Sequence, residues 1–464
     1  MNIRNIIEED LIKFNNKDYI FEKKNNKYIP IKFNDFINKA KALSSYLIAK
    51  GLLNEKILII GKNSINYMIA DLSVTIYTGI CININRDTKE EDLDYLINYL
   101  DIKAIIFTNE QNDKINLLKS NIIKINIDNI INKLNKIDNK YKKYNEEECS
   151  KIVFSSGTTS KSKGIKLSIK NMFAGWNSLY KRIDLNIFDV VYLFLPLHHT
   201  YANIYNFYYS LISGLTLYIS SGVNNIIEEL KEVNPTVFCA VPLIYERIYE
   251  YYKGNIKDAF GNRNRRLFAG GAKLDVNLKK MYRINNLNLL DTYALTETAS
   301  SFAVEYLKDE IDDSVGTLYE DMQFKVIDIN NGIGEICVKG DALFLGYTTN
   351  IKNIYTQDGY FKTGDLGYIK DNKLYIKGRK KKVLIGSNGE NIYIDEIVEN
   401  LKKLDTNINH VIVNLVYNKI SVIIYLNDRS KSDITKIINI YNSKCIQKNK
   451  IYEYKVEDKF QKLM

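Results

Sequence analysis

The stretch KIVFSSGTTSKSKGIKLS, residues 151–168, sets two apolar runs around ten residues that contain four serines, two threonines, two glycines and two lysines. An apolar run that opens into such a segment reads as a buried strand ending in a fixed loop. Glycine lets backbone N–H groups approach an oxyanion, the hydroxyls add donors and lysine supplies positive charge, so the composition describes a phosphate cradle. A flexible, solvated turn is the plainer alternative. The residue order excludes the common mononucleotide loop, in which Gly is followed by Lys and then Ser or Thr, because here Lys163 precedes Gly164.

Before this stretch the chain alternates helix and strand patterns. YIPIKFNDFINKAKALSSYLIAKG carries apolar residues at helical spacing and stops at Gly51, the short run KILIIG follows, and the rhythm repeats through INYMIADLSVTIYTG, ICINI, EEDLDYLINYL and KAIIFT. Alternation of this kind predicts a largely parallel sheet. Residues 109–149 are rich in Asn and Lys and read as a variable surface segment. After Lys151 the α/β rhythm resumes to about Tyr319, and from about 320 to 377 it gives way to short strands separated by turns, the texture of a β-rich subdomain. A basic run from Arg379 to Lys382 then precedes a strand, a glycine-containing loop and the helix start IDEIVENLKKL. The expected organisation is an α/β N-terminal domain over 1–377 with several sheets, its β-rich part near 320–377, and a short α+β domain over 378–464.

Composition narrows the class further. A chain of 464 residues with 45% hydrophobic and 26% charged residues folds on its own without disulfide or metal staples. The net charge of +10 is spread along the whole length, so a solvated lysine-rich surface is favoured over a nucleic-acid-binding face. The five cysteines, Cys81, Cys149, Cys239, Cys337 and Cys445, have neither CxxC nor zinc-ligand spacing and read as free thiols. The acidic start MNIRNIIEED lacks the apolar core of an export signal, and a cytoplasmic location is expected. From Val190 to Ile227 there is no Asp, Glu, Lys or Arg, yet Pro196, His198, His199, Asn203 and Asn206 interrupt the run, so a buried strand and helix is favoured over a membrane span. The segment is also suited to line an apolar pocket.

Further short motifs follow the 155–164 loop in order: GGA at 270–272, YALTE at 293–297, KTGD at 362–365, KGR at 377–379 and SNGENIYIDEI at 387–397. Together they resemble the adenylate-forming enzymes, the AMP-binding superfamily of acyl-CoA synthetases, luciferases and peptide-synthetase adenylation domains. The loop matches that family's Ser-Gly-Thr-Thr-Gly-x-Pro-Lys-Gly pattern with Ser160 in place of Gly and Ser162 in place of Pro. The resemblance implies a large domain of mixed sheets, a β-rich subdomain and a small lid, with the active site in the cleft under the lid. It also implies ATP, Mg²⁺ and CoA. Ser155, Ser156, Gly157, Thr158, Thr159 and Lys163 would hold the β- and γ-phosphates, and Gly270, Gly271 and Ala272 would border the nucleotide. Tyr293 would stack on adenine, Thr296 would contact phosphate, and Glu297 would ligate Mg²⁺, a hard cation that favours carboxylate oxygen. Asp365, assisted by Arg379, would accept hydrogen bonds from the ribose hydroxyls. LPLHHTY at 195–201 and AVPLIYERIY at 240–249 are similar to the long-chain fatty acyl-CoA synthetase branch, with His199 beside the carboxylate. Lys381 falls at the lid hinge, and Gly389 would line the path of the CoA thiol.

The family's C-terminal stretch ends in a lysine that bridges carboxylate and α-phosphate, whereas this sequence reads VEDKFQKLM and offers only Lys459 and Lys462 nearby. The leading expectation is an ATP-dependent acid–CoA ligase for a medium- or long-chain fatty acid, with peripheral membrane association open. Two alternatives stand beside it: loading of the acyl group onto an acyl carrier protein, and a nucleotide- or acyl-binding pseudoenzyme or one competent only in the thioester step.

Overall fold

The computed structural model describes residues 2–154, 163–253, 255–260, 263, 266–299, 301–306, 309, 311–380, 383–385, 391–416, 419–445 and 449–457. Ser155, Ser156, Gly157, Thr158 and Thr159 of the expected phosphate loop, Lys381 at the expected hinge, Gly389, Lys459 and Lys462 therefore lie outside the described residues. By internal packing the chain divides into two compact units, Met1–Gln323 with Lys339–Ile354, and Phe324–Val338 with Tyr355–Met464. Most of the closely spaced strands read as the β-rich part, 324–338 and 361–379, belong to the second unit.

The larger unit is α/β. One sheet runs in the order Gly346–Tyr347, Gly164–Ser168, Cys149–Phe154, Ile80–Asn83, Lys56–Ile60, Ala104–Phe107 and Ile123–Asn126. Its pairings are parallel from Cys149–Phe154 to Ile123–Asn126 and antiparallel at the other edge. The central strands are unbroken apolar runs, Ile57–Ile60 and Ala104–Phe107 being buried throughout, as strands covered on both faces require. The strand Ile123–Asn126 corrects the surface reading of 109–149: Ile115, Ile125, Ile127 and Ile131 are buried, and the surrounding Asn and Lys residues hide their spacing in the sequence.

A second sheet in this unit is ordered Thr317–Leu318, Ser301–Val304, Asn288–Ala294, Arg266–Ala269, Val237–Ala240, Val190–Leu193, Thr216–Ile219, Asp18–Lys24 and Lys27–Lys32. The strands from Asn288–Ala294 to Asp18–Lys24 pair in parallel, with antiparallel partners outside them. The uncharged segment supplies two of these strands and, between them, a π-helical turn Tyr201–Tyr208 continued by the α-helix Tyr209–Ser213. From Ala202 to Leu215 every residue is buried, whereas Pro196, Ser221 and Val223–Asn225 are exposed. Among the described residues no helix is long and apolar enough to cross a membrane.

In the second unit, Ile333–Gly340, Phe361–Lys370 and Lys373–Arg379 form an antiparallel run. Asp371 and Asn372, at φ 51° and 61°, turn the last hairpin, the left-handed pair that a two-residue type I′ loop requires. A three-stranded sheet, Ile408–Val416, Lys419–Leu426 and Ile451–Glu457, follows. The helices Ile394–Leu404 and Ile434–Lys444 pack on it through Ile397, Leu401, Ile437, Ile438 and Tyr441.

Candidate active site

The strand Cys149–Phe154, which leads toward residue 155, is anchored by a charge. Lys151 and Asp71 are both fully buried, with ammonium-to-carboxylate distances of 2.8 and 2.7 Å. Asp71 also accepts from Asn83 at 2.8 Å, Asn203 at 3.0 Å and the Tyr208 hydroxyl at 2.7 Å, while Lys151 donates to Asn83 Oδ1 at 2.8 Å. Burial alone would raise the Asp71 pKa, but the Lys151 charge and these donors outweigh it and hold the carboxyl below its usual value. The cluster ties the helix Ile65–Leu72, the strand Ile80–Asn83, the loop's own strand and the π-helical turn to one point. Asn203 extends it to the histidine turn, since its backbone N–H donates to the His199 carbonyl at 2.9 Å.

On the far side of the loop, Lys163 is exposed and its ammonium stands 5.5 Å from the centroid of the Tyr347 ring. Tyr347 belongs to the edge strand that pairs with Gly164–Ser168, with Tyr347 opposite Ile165. Its hydroxyl donates to Glu297 Oε1 at 2.7 Å, and the Phe344 N–H donates to the Glu297 carbonyl at 2.8 Å. Next to Tyr347, Thr348 Oγ1 accepts from the Gly164 N–H at 3.1 Å. A phenol thus links Lys163 to the glutamate of YALTE. Nothing in the sequence reading singled out Tyr347, whose only signal is a Gly-Tyr pair outside any assigned motif.

Tyr293 and Ala294 end the strand Asn288–Ala294, and Thr296 and Glu297 lie in the short 3₁₀ turn Thr296–Thr298 that follows. All four are half-buried. Tyr293 meets Phe302 edge to face with ring centroids 4.8 Å apart, and the strand is bulged between Tyr293 and Ala294. GGA leaves the neighbouring strand Arg266–Ala269. A Cβ on Gly270 would lie 2.8 Å from Thr292 Oγ1 and 3.5 Å from the Tyr201 ring, and Gly271 takes φ +79°, so both positions favour glycine. Ala272 is exposed beside them.

His198 and His199 are half-buried with ring centroids 4.1 Å apart. Burial, with added repulsion from His199 and Arg86, pushes His198 down to about 3, and burial also lowers His199. Both rings are therefore neutral at pH 7. Among the described residues no group of three or more His, Cys, Asp or Glu side chains converges as a metal site.

In the second unit, Asp365 and Arg379 face each other across the hairpin, with Arg379 Nε 2.7 Å from Asp365 Oδ1. Asp365 is 3% exposed, and its N–H donates to Thr363 Oγ1 at 3.0 Å. Glu335, absent from the sequence reading, accepts from the Gly364 N–H at 3.2 Å and from Lys380 at 2.7 Å. The structure thus brings Lys163 and Glu297 together through Tyr347, and pairs Asp365 with Arg379.

Comparison with known proteins supplies the rest. Residues 13–348 match the family described as AMP-binding enzyme. A long-chain-fatty-acid–CoA ligase of Rattus norvegicus is 23% identical over 481 residues, covering 85% of this chain and 72% of that protein. A 2-succinylbenzoate–CoA ligase of Staphylococcus epidermidis is 25% identical over 343 residues, covering 72% and 69%. Among solved structures, o-succinylbenzoate CoA synthetase of Bacillus subtilis in complex with its acyl-adenylate intermediate has a TM-score of 0.85 at 17% identity, over 98% of this chain and 95% of that one. ATP-bound MatB of Rhodopseudomonas palustris has a TM-score of 0.86 at 20% identity, over 99% and 96%. Such structural likenesses establish the adenylate-forming fold. With the family match extending over most of the sequence, from the first sheet to Thr348, the chain belongs to the AMP-binding enzymes.

Proposed function

We propose that this AMP-binding enzyme is an AMP-forming acid–CoA ligase and that its acid is a fatty acid of medium or long chain. The acid's carboxylate oxygen attacks the α-phosphorus of ATP and pyrophosphate leaves; the CoA thiolate then attacks the acyl carbonyl and AMP leaves. The observation that carries the reading is the Lys163–Tyr347–Glu297 arrangement next to Gly164, a cation and a carboxylate set for opposite tasks on one nucleotide.

The chemistry of the donor set fits ATP with Mg²⁺. Lys163 is exposed and free to turn toward a phosphate, and Glu297 is a half-buried carboxylate steadied by Tyr347, the oxygen ligand that Mg²⁺ takes. When bound, Mg²⁺ neutralises phosphate charge. In this reading Glu297 would hold the ion, while Ser155, Ser156, Gly157, Thr158, Thr159, Thr296 and Lys163 would hold the phosphates. Gly270, Gly271 and Ala272 leave room for the nucleotide beside Tyr293, and Asp365 with Arg379 takes the ribose. His199, kept neutral by burial, offers the acid's carboxylate a hydrogen bond without a second charge. Residues 378–464 serve as the lid, turning about Lys381 to admit the CoA thiol past Gly389. The long-chain choice rests on the uncharged segment, buried from Ala202 to Leu215, and on the name of the rat relative. A reducing, cytoplasmic setting fits the five unpaired cysteines.

The test is paired: pyrophosphate release with ATP, Mg²⁺ and a panel of carboxylic acids, beside acyl-CoA formation from synthetic acyl-adenylate and CoA. Release with fatty acids together with CoA-dependent thioester formation supports the proposal. Release only with short or aromatic acids overturns the substrate class, and silence in both assays overturns the activity.

A further inference from the structure

The two histidines sit on a turn that one helix grips from both of its ends. Asn63 stands two residues before the helix Ile65–Leu72, and Asp71 lies in the helix's last turn. The Asn63 side chain clasps the backbone of the histidine turn: Nδ2 donates to the Leu195 carbonyl at 2.8 Å, and Oδ1 accepts from the Leu197 N–H at 2.9 Å. A side-chain amide carries donor and acceptor together, so a single asparagine can serve a backbone carbonyl and an N–H two residues apart. Leu197 is also 1% exposed, so the residue before His198 is fixed by its side chain as well as by its N–H. From the helix's other end, Asp71 accepts from the Asn203 amide at 3.0 Å and the Tyr208 hydroxyl at 2.7 Å, while the Asn203 N–H donates to the His199 carbonyl at 2.9 Å.

The π winding of Tyr201–Tyr208 belongs to the same arrangement. Asn203 and Tyr208 are five residues apart, about 1.4 turns of an α-helix, a spacing that would aim them at different sides. The wider turn, closed by i→i+5 bonds such as that from the Tyr209 N–H to the Ile204 carbonyl, brings both side chains to the one carboxylate. We propose that Asn63 and Asn203 are positioning residues: from the two ends of one helix they hold the Leu195–His199 turn, and so fix the His199 imidazole where it meets the acid's carboxylate. The inference rests on the role given to His199 in the acid–CoA ligase reading above. Displacing a reacting group's partner by about 1 Å can cost on the order of 100-fold in rate, so two clamps on a short turn matter to the chemistry without touching substrate. Asn203→Leu leaves Asp71 with Lys151, Asn83 and Tyr208, and it removes an Oδ1 that has no hydrogen-bond partner among the described residues, so the variant is expected to fold.

The sequence has three histidines, and the third, His410, lies in the second unit. NMR spectra of the full chain labelled with ¹³C in its histidine rings therefore carry few signals, and that of His410, assigned by its loss in His410→Gln, serves as the internal standard. In Asn63→Ala and Asn203→Leu the His198 and His199 ring signals are expected to shift or split while His410 stays in place. In the same variants kcat/KM for the acid is expected to fall about tenfold or more, with KM for ATP changed by less than about twofold. In a His199→Ala background either substitution should cost less than about twofold, because the group it positions is gone. Unmoved His198 and His199 signals in both variants overturn the proposal. Losses of undiminished size in the His199→Ala background overturn it too, since they place the effect in the fold at large, and the ligase reading survives either result. Shifted ring signals without turnover of any acid by the wild type keep the two clamps and remove the ligase reading.

Discussion

Replacing Lys151 by methionine tests what anchors the strand Cys149–Phe154. The substitution preserves much of the side-chain length but removes the ammonium that lies 2.8 and 2.7 Å from the Asp71 oxygens, leaving a carboxylate with no exposure and only neutral donors. Breaking a buried pair from one side costs about 3–5 kcal/mol, because the remaining charge is uncompensated. With an unfolding entropy of ~2.1 cal/mol/K per residue over a body of roughly 340 residues, 3–5 kcal/mol corresponds to a fall of about 4–7 °C in melting temperature. Asp71→Asn strands the lysine instead and is expected to cost a similar amount. In Asp71→Asn/Lys151→Met neither charge remains, and an asparagine at 71 can still accept from Asn83 or Tyr208. The double variant should therefore lose less than the two single variants summed, by at least about 2 kcal/mol. Thermal unfolding of the four proteins at one scan rate measures this, and additive losses would refute the account of a coupled buried pair.

Four further outcomes follow from the geometry. Tyr347→Phe removes a hydrogen bond to a carboxylate, worth about 1.5–3 kcal/mol, and should lower kcat/KM for pyrophosphate release by roughly 10- to 100-fold and raise the Mg²⁺ concentration needed. Gly270→Ala places a methyl 2.8 Å from Thr292 Oγ1 and should weaken ATP or acid binding; adding Thr292→Ala should restore part of it, and failure of that rescue counts against a steric cause. Asp365→Asn should weaken AMP binding in calorimetry while leaving the fold intact, and unchanged affinity would remove the ribose role. Finally, unfolded histidine titrates near 6.5 whereas folded His198 is pushed down to about 3, so its contribution is fully present above pH 6.5 and is lost as pH falls toward 3. Urea titrations should show stability declining through that window by up to about 1.4 kcal/mol per pH unit from this residue, and His198→Asn should flatten the slope.

Much of the fold is legible in the sequence, and the reasons are local. Strands such as Lys56–Ile60 and hairpins such as Phe361–Arg379 announce themselves through apolar runs and turn residues close in sequence. Asp365 and Arg379 were linked only through the family resemblance, and the structure sets them opposite each other across one hairpin. Tyr347 did not show, because it reaches Glu297 from fifty residues away through a sheet edge, and a lone tyrosine carries no spacing. The Asp71–Lys151 cluster was equally hidden: each is one charged residue in an apolar run, and only the fold reveals that they point at each other across eighty positions. The strand Ile123–Asn126 was missed for the opposite reason, since its flanks are as polar as a loop while its burial depends on a neighbour, Ala104–Phe107, that covers its inner edge.

The interleaving of the two units sets an order of events during synthesis. The chain leaves the larger unit after Gln323, spends Phe324–Val338 in the second, and returns for Lys339–Ile354 before leaving again. That returning segment carries Tyr347 and Thr348, the edge of the seven-stranded sheet and the partner of Glu297. At ~5–20 residues per second, the fifty residues from Glu297 to Tyr347 take roughly 3–10 s to emerge. For that interval a nascent chain holds its YALTE motif without the tyrosine that steadies the glutamate. A protein cut after Gln323 would remain in that state permanently, with an open sheet edge at Gly164–Ser168 available to any passing strand.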